Sequence, residues 1–178
     1  MTTIQIISQV VNFFGSGCNM VGISLKDKRK ILILFTIGNY LVATALGLLG
    51  AITGMCIQIA FVVETIINFF FEKKYDKYPI WLIIIYLIVP IVIIVLTFSS
   101  YWDILPIVAS VFFVISMVSK NFLLRLLSLL SVVLWIPYNW VFAQYVGAGT
   151  CLVMAIINFI AIVRYDILKK KNTEKSPS

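Results

Sequence analysis

Amide, hydroxyl and indole side chains interrupt otherwise apolar stretches of this 178-residue chain, and their chemistry is the most informative feature of the sequence. Amides and hydroxyls donate and accept hydrogen bonds, and an indole offers a flat ring with one N–H donor. The chain has no histidine, which removes the commonest general base, proton relay and metal ligand. It also lacks paired carboxylates, a CxxC pair and a phosphate-binding glycine loop. We therefore expect hydrogen bonding to a neutral molecule, with no enzymatic activity, no cofactor and no metal.

The polar residues of five predicted helices each fall on one arc when placed at about 100° per residue. In hydrocarbon, such side chains must face another helix or a water-filled cavity. We predict a pocket near the membrane midplane that binds a small neutral or zwitterionic solute, with Trp135 stacking on it. The predicted substrate-binding residues are Asn12, Asn39, Gln58, Trp135, Tyr138, Asn139 and Asn158. The alternative is that these groups only hydrogen-bond the helices to one another.

Glu64 is the only acidic residue well inside a predicted span. Burying a charged carboxylate at the membrane centre costs roughly 2.5–3.5 kcal/mol on insertion scales, so its position needs an explanation. One interpretation is that Glu64 is an ion or proton site. The other is that the acid, about two turns from the inner surface, reaches water or a basic neighbour.

The composition places the chain in a lipid bilayer. Apolar residues make up 62% and charged residues 12%, against roughly 45–50% and about 25% in soluble domains. A soluble fold of this size could not keep so much apolar surface from water. The basic residues behind the net charge of +7 lie at the ends of apolar runs and in the tail, which indicates orientation signals and no nucleic-acid partner.

Seven apolar stretches predict seven membrane-spanning helices. One span needs about 20 residues, because a helix rises about 1.5 Å per residue and the hydrocarbon core is about 30 Å thick. Residues 31–71 and 126–163 are each long enough for two spans joined by a turn. We predict those turns at Gly47–Gly54 and near Gly147–Gly149. The single spans are predicted at 3–24, 80–98 and 104–118.

The distribution of basic residues predicts the orientation of these spans. With the N-terminus outside, all 14 Lys and Arg residues fall on the cytoplasmic side, as the positive-inside rule requires. Asp103 is then the only charged residue outside. The cytoplasmic segments are 25–30, 72–79, 119–125 and the tail after Val163. We therefore predict the N-terminus out and the C-terminus in.

Seven spans divide naturally into three, one and three. The two triplets then run in the same direction, as do parallel repeats related by an axis along the membrane normal. Weak matches at an offset of 95–97 residues pair Gly50 with Gly147 and Thr53 with Thr150. The predicted units are the first three-helix repeat (1–71), a linker helix with flanking loops (72–103), the second repeat (104–168) and a disordered cytoplasmic tail (169–178). A seven-helix bundle without a repeat is the alternative.

Several motifs resemble the bacterial inner-membrane family called YgjV. Those in the second half are Leu105–Pro106, Arg125, the segment from Leu134 to Asn139, Gly147 and Val163–Tyr165. Those in the first half are Gln9, the Lys26–Lys30 cluster and Gly50–Gly54. Pro137, inside the Trp-x-x-Tyr-Asn segment, departs from the family pattern. The resemblance covers nearly the whole chain and implies a multi-pass protein of the bacterial inner (plasma) membrane, without implying a particular activity.

The three-one-three plan also resembles that of SWEET sugar carriers and PnuC-type vitamin carriers. That resemblance implies Trp and Asn side chains at a central site, at positions comparable to Trp135, Asn139 and Asn158. The first two spans contain no proline, which departs from the usual SWEET pattern. The sequence thus predicts a passive carrier, and the alternative is a non-transporting scaffold or sensor subunit of the membrane.

Overall fold

The computed structural model describes residues 2–25, 28–72, 79–119 and 121–164. Within these ranges the chain forms seven α-helices and one 3₁₀ turn, with no strand. The helices are α1 (Thr3–Ser24), α2 (Lys28–Leu48), α3 (Ile52–Glu72), α4 (Ile80–Thr97), α5 (Ile104–Val118), α6 (Asn121–Val141) and α7 (Tyr145–Ile162). The predicted all-α fold of seven helices is confirmed. The predicted tail, 169–178, lies outside the described residues, and the orientation of the termini stays a prediction.

Five helices, α2, α3, α4, α6 and α7, are long and apolar enough to cross a membrane. The most apolar is α4, whose mean hydropathy is 3.1. α5 is a shorter apolar helix of 15 residues, or about 22 Å. α1 has 22 residues and enough length, but with its stripe of amides and hydroxyls it is not among these five. The described chain is therefore a multi-pass helical membrane protein.

The helices pack in two consecutive triplets. α2 lies between α1 and α3, and α6 lies between α5 and α7. The two main junctions between the triplets lie where α1 contacts α7 and where α3 contacts α5, and Tyr138 of α6 also accepts a hydrogen bond from Gly54 of α3. Exchanging the first triplet with the second converts one of these junctions into the other. α4 packs against α3 and α5 and buries only Leu82, Tyr86 and Pro90, so most of its surface is left for lipid.

The hairpins α2–α3 and α6–α7 close with the same turn. One residue in each has a positive φ, Gly50 at 74° and Ala143 at 54°. The N–H of the following residue then donates to the carbonyl five residues before it, at 3.1 Å after Gly50 and 2.7 Å after Ala143. This is the Schellman closure of a helix end, which normally uses glycine at the positive-φ position. α6 begins and ends 93 residues after α2, at 121 against 28 and at 141 against 48.

The prediction of a turn near Gly147–Gly149 is wrong. Both glycines lie inside the first two turns of α7, and the chain reverses at Phe142–Gln144. Ala143 adopts the left-handed conformation that costs a non-glycine residue roughly 1–2 kcal/mol. The hairpins therefore correspond at an offset of 93 residues, and the predicted offset of 95–97 fails there.

Candidate functional site

A cavity of about 160 Å³ lies where α1, α2 and α3 face α6 and α7. α1 contributes the largest share of its polar lining, and the lining contains no charged side chain. Apolar walls come from valine and methionine side chains and from the ring of Trp135. The lining residues are Asn12, Ser16, Asn19, Met20, Val42, Gln58, Val132, Trp135, Asn139, Gly147, Thr150, Cys151 and Met154. The cavity is thus neutral, partly apolar and rich in amides.

The structure brings four of the seven predicted substrate-binding residues together. Asn12, Gln58, Trp135 and Asn139 all line the cavity, although they come from four different helices. Asn12, Gln58 and Trp135 were grouped by their depth within each span, and Asn139 by the polar arc of its helix. The packing of the triplets brings all four to one cavity. These four residues form the core of the candidate site.

The other three predicted residues lie elsewhere. Asn39 accepts a hydrogen bond from Asn19 Nδ2 at 3.1 Å, next to the cavity but not on its surface. The Tyr138 hydroxyl is fully buried and accepts from the backbone N–H of Gly54 at 2.8 Å. The Asn158 amide donates to a carbonyl of its own helix, at Met154, at 3.0 Å. The bonds of Asn39 and Tyr138 join different helices, as the alternative interpretation expects, whereas the bond of Asn158 stays within α7.

Two buried polar atoms of cavity-lining residues lack a hydrogen-bond partner in the described part of the chain. They are Nδ2 of Asn12, a donor, and Oδ1 of Asn19, an acceptor. The opposite end of each amide is engaged: Asn12 Oδ1 accepts from Ser16 Oγ at 2.8 Å, and Asn19 Nδ2 binds Asn39. An unsatisfied buried polar atom costs roughly 1–3 kcal/mol. Both atoms have almost no accessible surface, because Asn12 Nδ2 packs beside Gly147 and Asn19 Oδ1 packs beside Gly38 of α2.

The side of the cavity formed by α3 and α6 adds further hydrogen-bonding capacity. The Gln58 amide makes no hydrogen bond within the described chain. Asn139 Nδ2 donates to the Trp135 carbonyl at 2.8 Å, while its Oδ1 is left facing Gly147. The Trp135 ring is 7% exposed and meets the Tyr138 ring edge-on at 5.6 Å, which fixes its orientation. A flat polar solute would find a ring to stack on and amides at its edges.

A layer of hydrogen bonds separates the cavity from the α6–α7 turn. Gln144 Nε2 donates to Ser8 Oγ at 2.9 Å, and Ser8 Oγ donates to the Ala45 carbonyl at 2.7 Å. Gln9 donates to the Ala143 carbonyl, and its Oε1 accepts from a backbone N–H at the start of α7. Sequence reasoning missed Gln144, because the misplaced turn put it inside a span. This layer joins α1 to both hairpins at one end of the cavity.

Glu64 does not line the cavity. It is 5% exposed and lies on the face of α3 that meets α4 and α5. On the same face, Phe61 packs against Phe113 of α5 at 5.4 Å, and Asn68 Oδ1 accepts from the Tyr86 hydroxyl of α4 at 2.9 Å. The Glu64 carboxyl itself makes no hydrogen bond or ion pair with any residue that the structure describes. The expected basic neighbour is absent among those residues.

The described residues contain no group of three or more His, Cys, Asp or Glu side chains that could hold a metal ion. Cys18, Cys56 and Cys151 are free thiols. Of these, Cys151 lines the cavity and receives a long contact of 3.8 Å from Asn139 Nδ2. The candidate site therefore consists of amides, hydroxyls, one thiol and one indole.

A sequence model of the Imp-YgjV family, described as a bacterial inner membrane protein, matches residues 6–169 of the chain. The match spans all seven helices apart from the first residues of α1. No curated protein and no solved structure matches the chain. The resemblance to SWEET and PnuC-type carriers therefore stays a prediction.

Proposed function

The chain belongs to the Imp-YgjV family of bacterial inner membrane proteins, and within that setting we propose that it is a passive carrier for a small polar solute bound in the cavity. The observation that carries this proposal is a neutral cavity lined by four amide side chains and the ring of Trp135. Such a lining would hydrogen-bond to a solute that bears both an acceptor and a donor. The proposal includes no catalytic step, cofactor or metal.

The size and charge of the cavity narrow the solute. An engineered apolar cavity of about 150 Å³ binds benzene, so a cavity of about 160 Å³ fits a molecule of similar bulk. Because no charged side chain lines the cavity, a neutral solute is favoured over a zwitterion, whose charges would lose water without gaining partners. In this assignment Trp135 stacks on the solute, and Asn12, Asn19, Gln58 and Asn139 hydrogen-bond to it.

The arrangement of the triplets supports alternating access. The offset of 93 residues pairs Val42 with Trp135 and Gln58 with Cys151, and all four line the cavity. Each triplet thus presents equivalent positions to the same space, as in carriers built from repeats. Rocking of the triplets about the cavity would open the α1–α7 and α3–α5 junctions in turn.

One observation favours a different function, that of a scaffold or sensor subunit. Many polar side chains join helices directly: Thr36 donates to Thr65 at 3.1 Å, and Thr53 lies 3.0 Å from Thr97 through their hydroxyls. Such bonds are a common means of holding membrane helices together. Under this alternative the cavity-lining amides contribute to stability only, and no solute crosses the membrane.

A ligand screen with matched variants distinguishes the two functions. The purified protein is screened against a metabolite library for a rise in melting temperature, and any hit is tested for uptake into proteoliposomes. Asn12→Leu and Gln58→Leu should abolish the rise and the uptake. Asn158→Leu is the control, because Asn158 undergoes the same type of change but hydrogen-bonds only to its own helix. Equal uptake by all three variants would refute the assignment of the site.

Water access provides a test that needs no solute. In a variant without native cysteines, Gln58→Cys should react with a membrane-impermeant thiol reagent, whereas Asn158→Cys should not. The contrast is expected because only position 58 lines the cavity. If neither thiol reacts, the cavity is closed to water and the scaffold alternative gains support.

A further inference from the structure

Glu64 has the least favourable surroundings of any acid that the structure describes. Glu64 is only 5% exposed, and its carboxyl has no hydrogen-bond or ion-pair partner within the described residues. The carboxyl lies eight residues from the end of α3 at Glu72, a distance of about 12 Å along the helix. It is therefore too deep for simple contact with water at the membrane surface.

Asp103 provides the comparison, because it is a buried carboxylate that is surrounded by hydrogen-bond donors. Asp103 is equally buried, at 1% exposed, but its Oδ2 accepts hydrogen bonds from the backbone N–H groups of Ser99 and Ser100 and from the Ser99 hydroxyl. A buried charge is tolerated when it is paired or hydrogen-bonded in this way. Glu64 has no such donors, so an ionised carboxylate would be uncompensated there.

Among the side chains that the structure describes on the helices packed against α3, none with a charge forms an ion pair or hydrogen bond with Glu64. α5 contains no titratable residue, and Tyr86 is the only one in α4, where its hydroxyl is engaged with Asn68. On α2, the hydrogen bond between Thr36 and Thr65 marks the level of Glu64. The basic residues at the start of α2, from position 28 to 30, lie about two turns beyond that level, roughly 10 Å away.

We propose that Glu64 is a proton-binding site, which holds one proton while the α3–α4–α5 junction is closed and releases it when the junction opens. The neutral acid avoids the cost of an isolated buried charge, which reaches several kcal/mol. On opening, water entering from the α3 end accepts the proton and hydrates the carboxylate. By the positive-inside rule that end faces the cytoplasm, so acidity there favours the closed junction. The site is separate from the cavity and does not depend on the identity of the solute.

A proton suits this site better than a metal cation. Hard cations such as Ca²⁺ and Mg²⁺ require six or more oxygen ligands. Within the described residues, Glu64 provides one carboxyl, and Asn68 Oδ1, one turn further along α3, is engaged with Tyr86. A single proton needs no further ligand.

Infrared spectroscopy of the full chain in lipid tests the proposal directly. At neutral pH the wild type should show the C=O stretching band of a protonated carboxylic acid, and Glu64→Gln should lose it. Asp103→Asn is the matched control and should keep the band. If Glu64→Gln fails to fold, labelling the wild type with ¹³C-glutamate should shift the same band. A band that is absent from the wild type at neutral pH, or unaffected by both changes, would overturn the proposal.

The opening step has its own measurement. Val114 of α5 is 1% exposed and packs with Ile67 of α3 and Tyr86 of α4, so Val114→Cys reports on this junction. As the pH rises, labelling of this cysteine should increase several-fold more when Glu64 is present than when Val114→Cys is combined with Glu64→Gln. Equal increases would contradict proton-linked opening while leaving the solute site untouched, because that site is tested at positions 12 and 58.

Discussion

The two glycines of α7 permit a matched test of the cavity, because they share one helix but differ in their surroundings. A methyl group at position 147 would lie 2.8 Å from Asn12 Nδ2 and 2.9 Å from Asn139 Oδ1. A methyl group at position 149 would meet nothing within 4 Å. Gly147→Ala and Gly149→Ala should therefore gain the same helix propensity and differ only in crowding.

The magnitudes follow from that difference. Replacing a helical glycine by alanine stabilises by about 0.5–1 kcal/mol, so Gly149→Ala should be slightly more stable than wild type. At position 147 the two amides must move, and overpacking of this kind costs about 1–3 kcal/mol. The free energy of unfolding of Gly147→Ala should thus be lower than that of Gly149→Ala by about 1–3 kcal/mol. The displaced amides can only turn toward the cavity or give up their present contacts, so the cavity should shrink.

Alkylation of Cys151 measures the cavity without a known solute. With Cys18 and Cys56 replaced by serine, a small water-soluble reagent should modify Cys151, which lines the cavity. Gly147→Ala should slow this reaction several-fold, while Gly149→Ala should leave its rate unchanged. Equal rates in the two variants, together with equal stabilities, would show that the packing around Asn12 and Asn139 does not define the cavity.

Three further predictions concern stability, each measured as a shift in the unfolding midpoint in detergent. Ala143→Gly should stabilise the protein by up to about 1 kcal/mol, because glycine adopts the left-handed conformation without the cost that alanine has there. A loss of stability would show that Ala143 is not strained. Asp103→Ala should destabilise by about 1–3 kcal/mol, since two backbone N–H groups lose their acceptor; an unchanged midpoint would mean that water replaces the carboxylate. Tyr138→Phe should cost about 1–3 kcal/mol by leaving the buried N–H of Gly54 unpaired, whereas Tyr101→Phe, at an 86% exposed position, should be neutral.

The bounds of several helices could be predicted closely, because charged residues and prolines interrupt the long apolar runs. α1 and α5 begin and end at the predicted residues, and α4 ends one residue early. The α6–α7 turn could not be placed, because the sequence offers glycines at 147 and 149 while the chain turns at Ala143. Local propensity favoured the glycines, but the reversal is instead set by the hydrogen bonds of the hairpin and of Gln9.

The site was predictable only as far as depth within a span determines it. Asn12, Gln58 and Trp135 lie near the middle of their spans, at depths that meet in the packed bundle, so they were predicted together. Asn158 has a similar depth but is not on the cavity surface, because rotation about the helix axis is fixed by tertiary packing. The polar arc predicted for α3 is likewise divided, with Gln58 on the cavity and Glu64 on the opposite junction.

The α1–α7 and α3–α5 junctions occupy equivalent positions in the two triplets. Their side chains nevertheless differ in polarity. The first is polar, closed by hydrogen bonds such as the one from Gln144 to Ser8, and borders the cavity. The second is sealed by Phe61 against Phe113 and contains one unpartnered acid, Glu64. Under the proposed rocking of rigid triplets, closing one junction would open the other, and solute binding at the first would then be linked to protonation at the second without any contact between the two ligands.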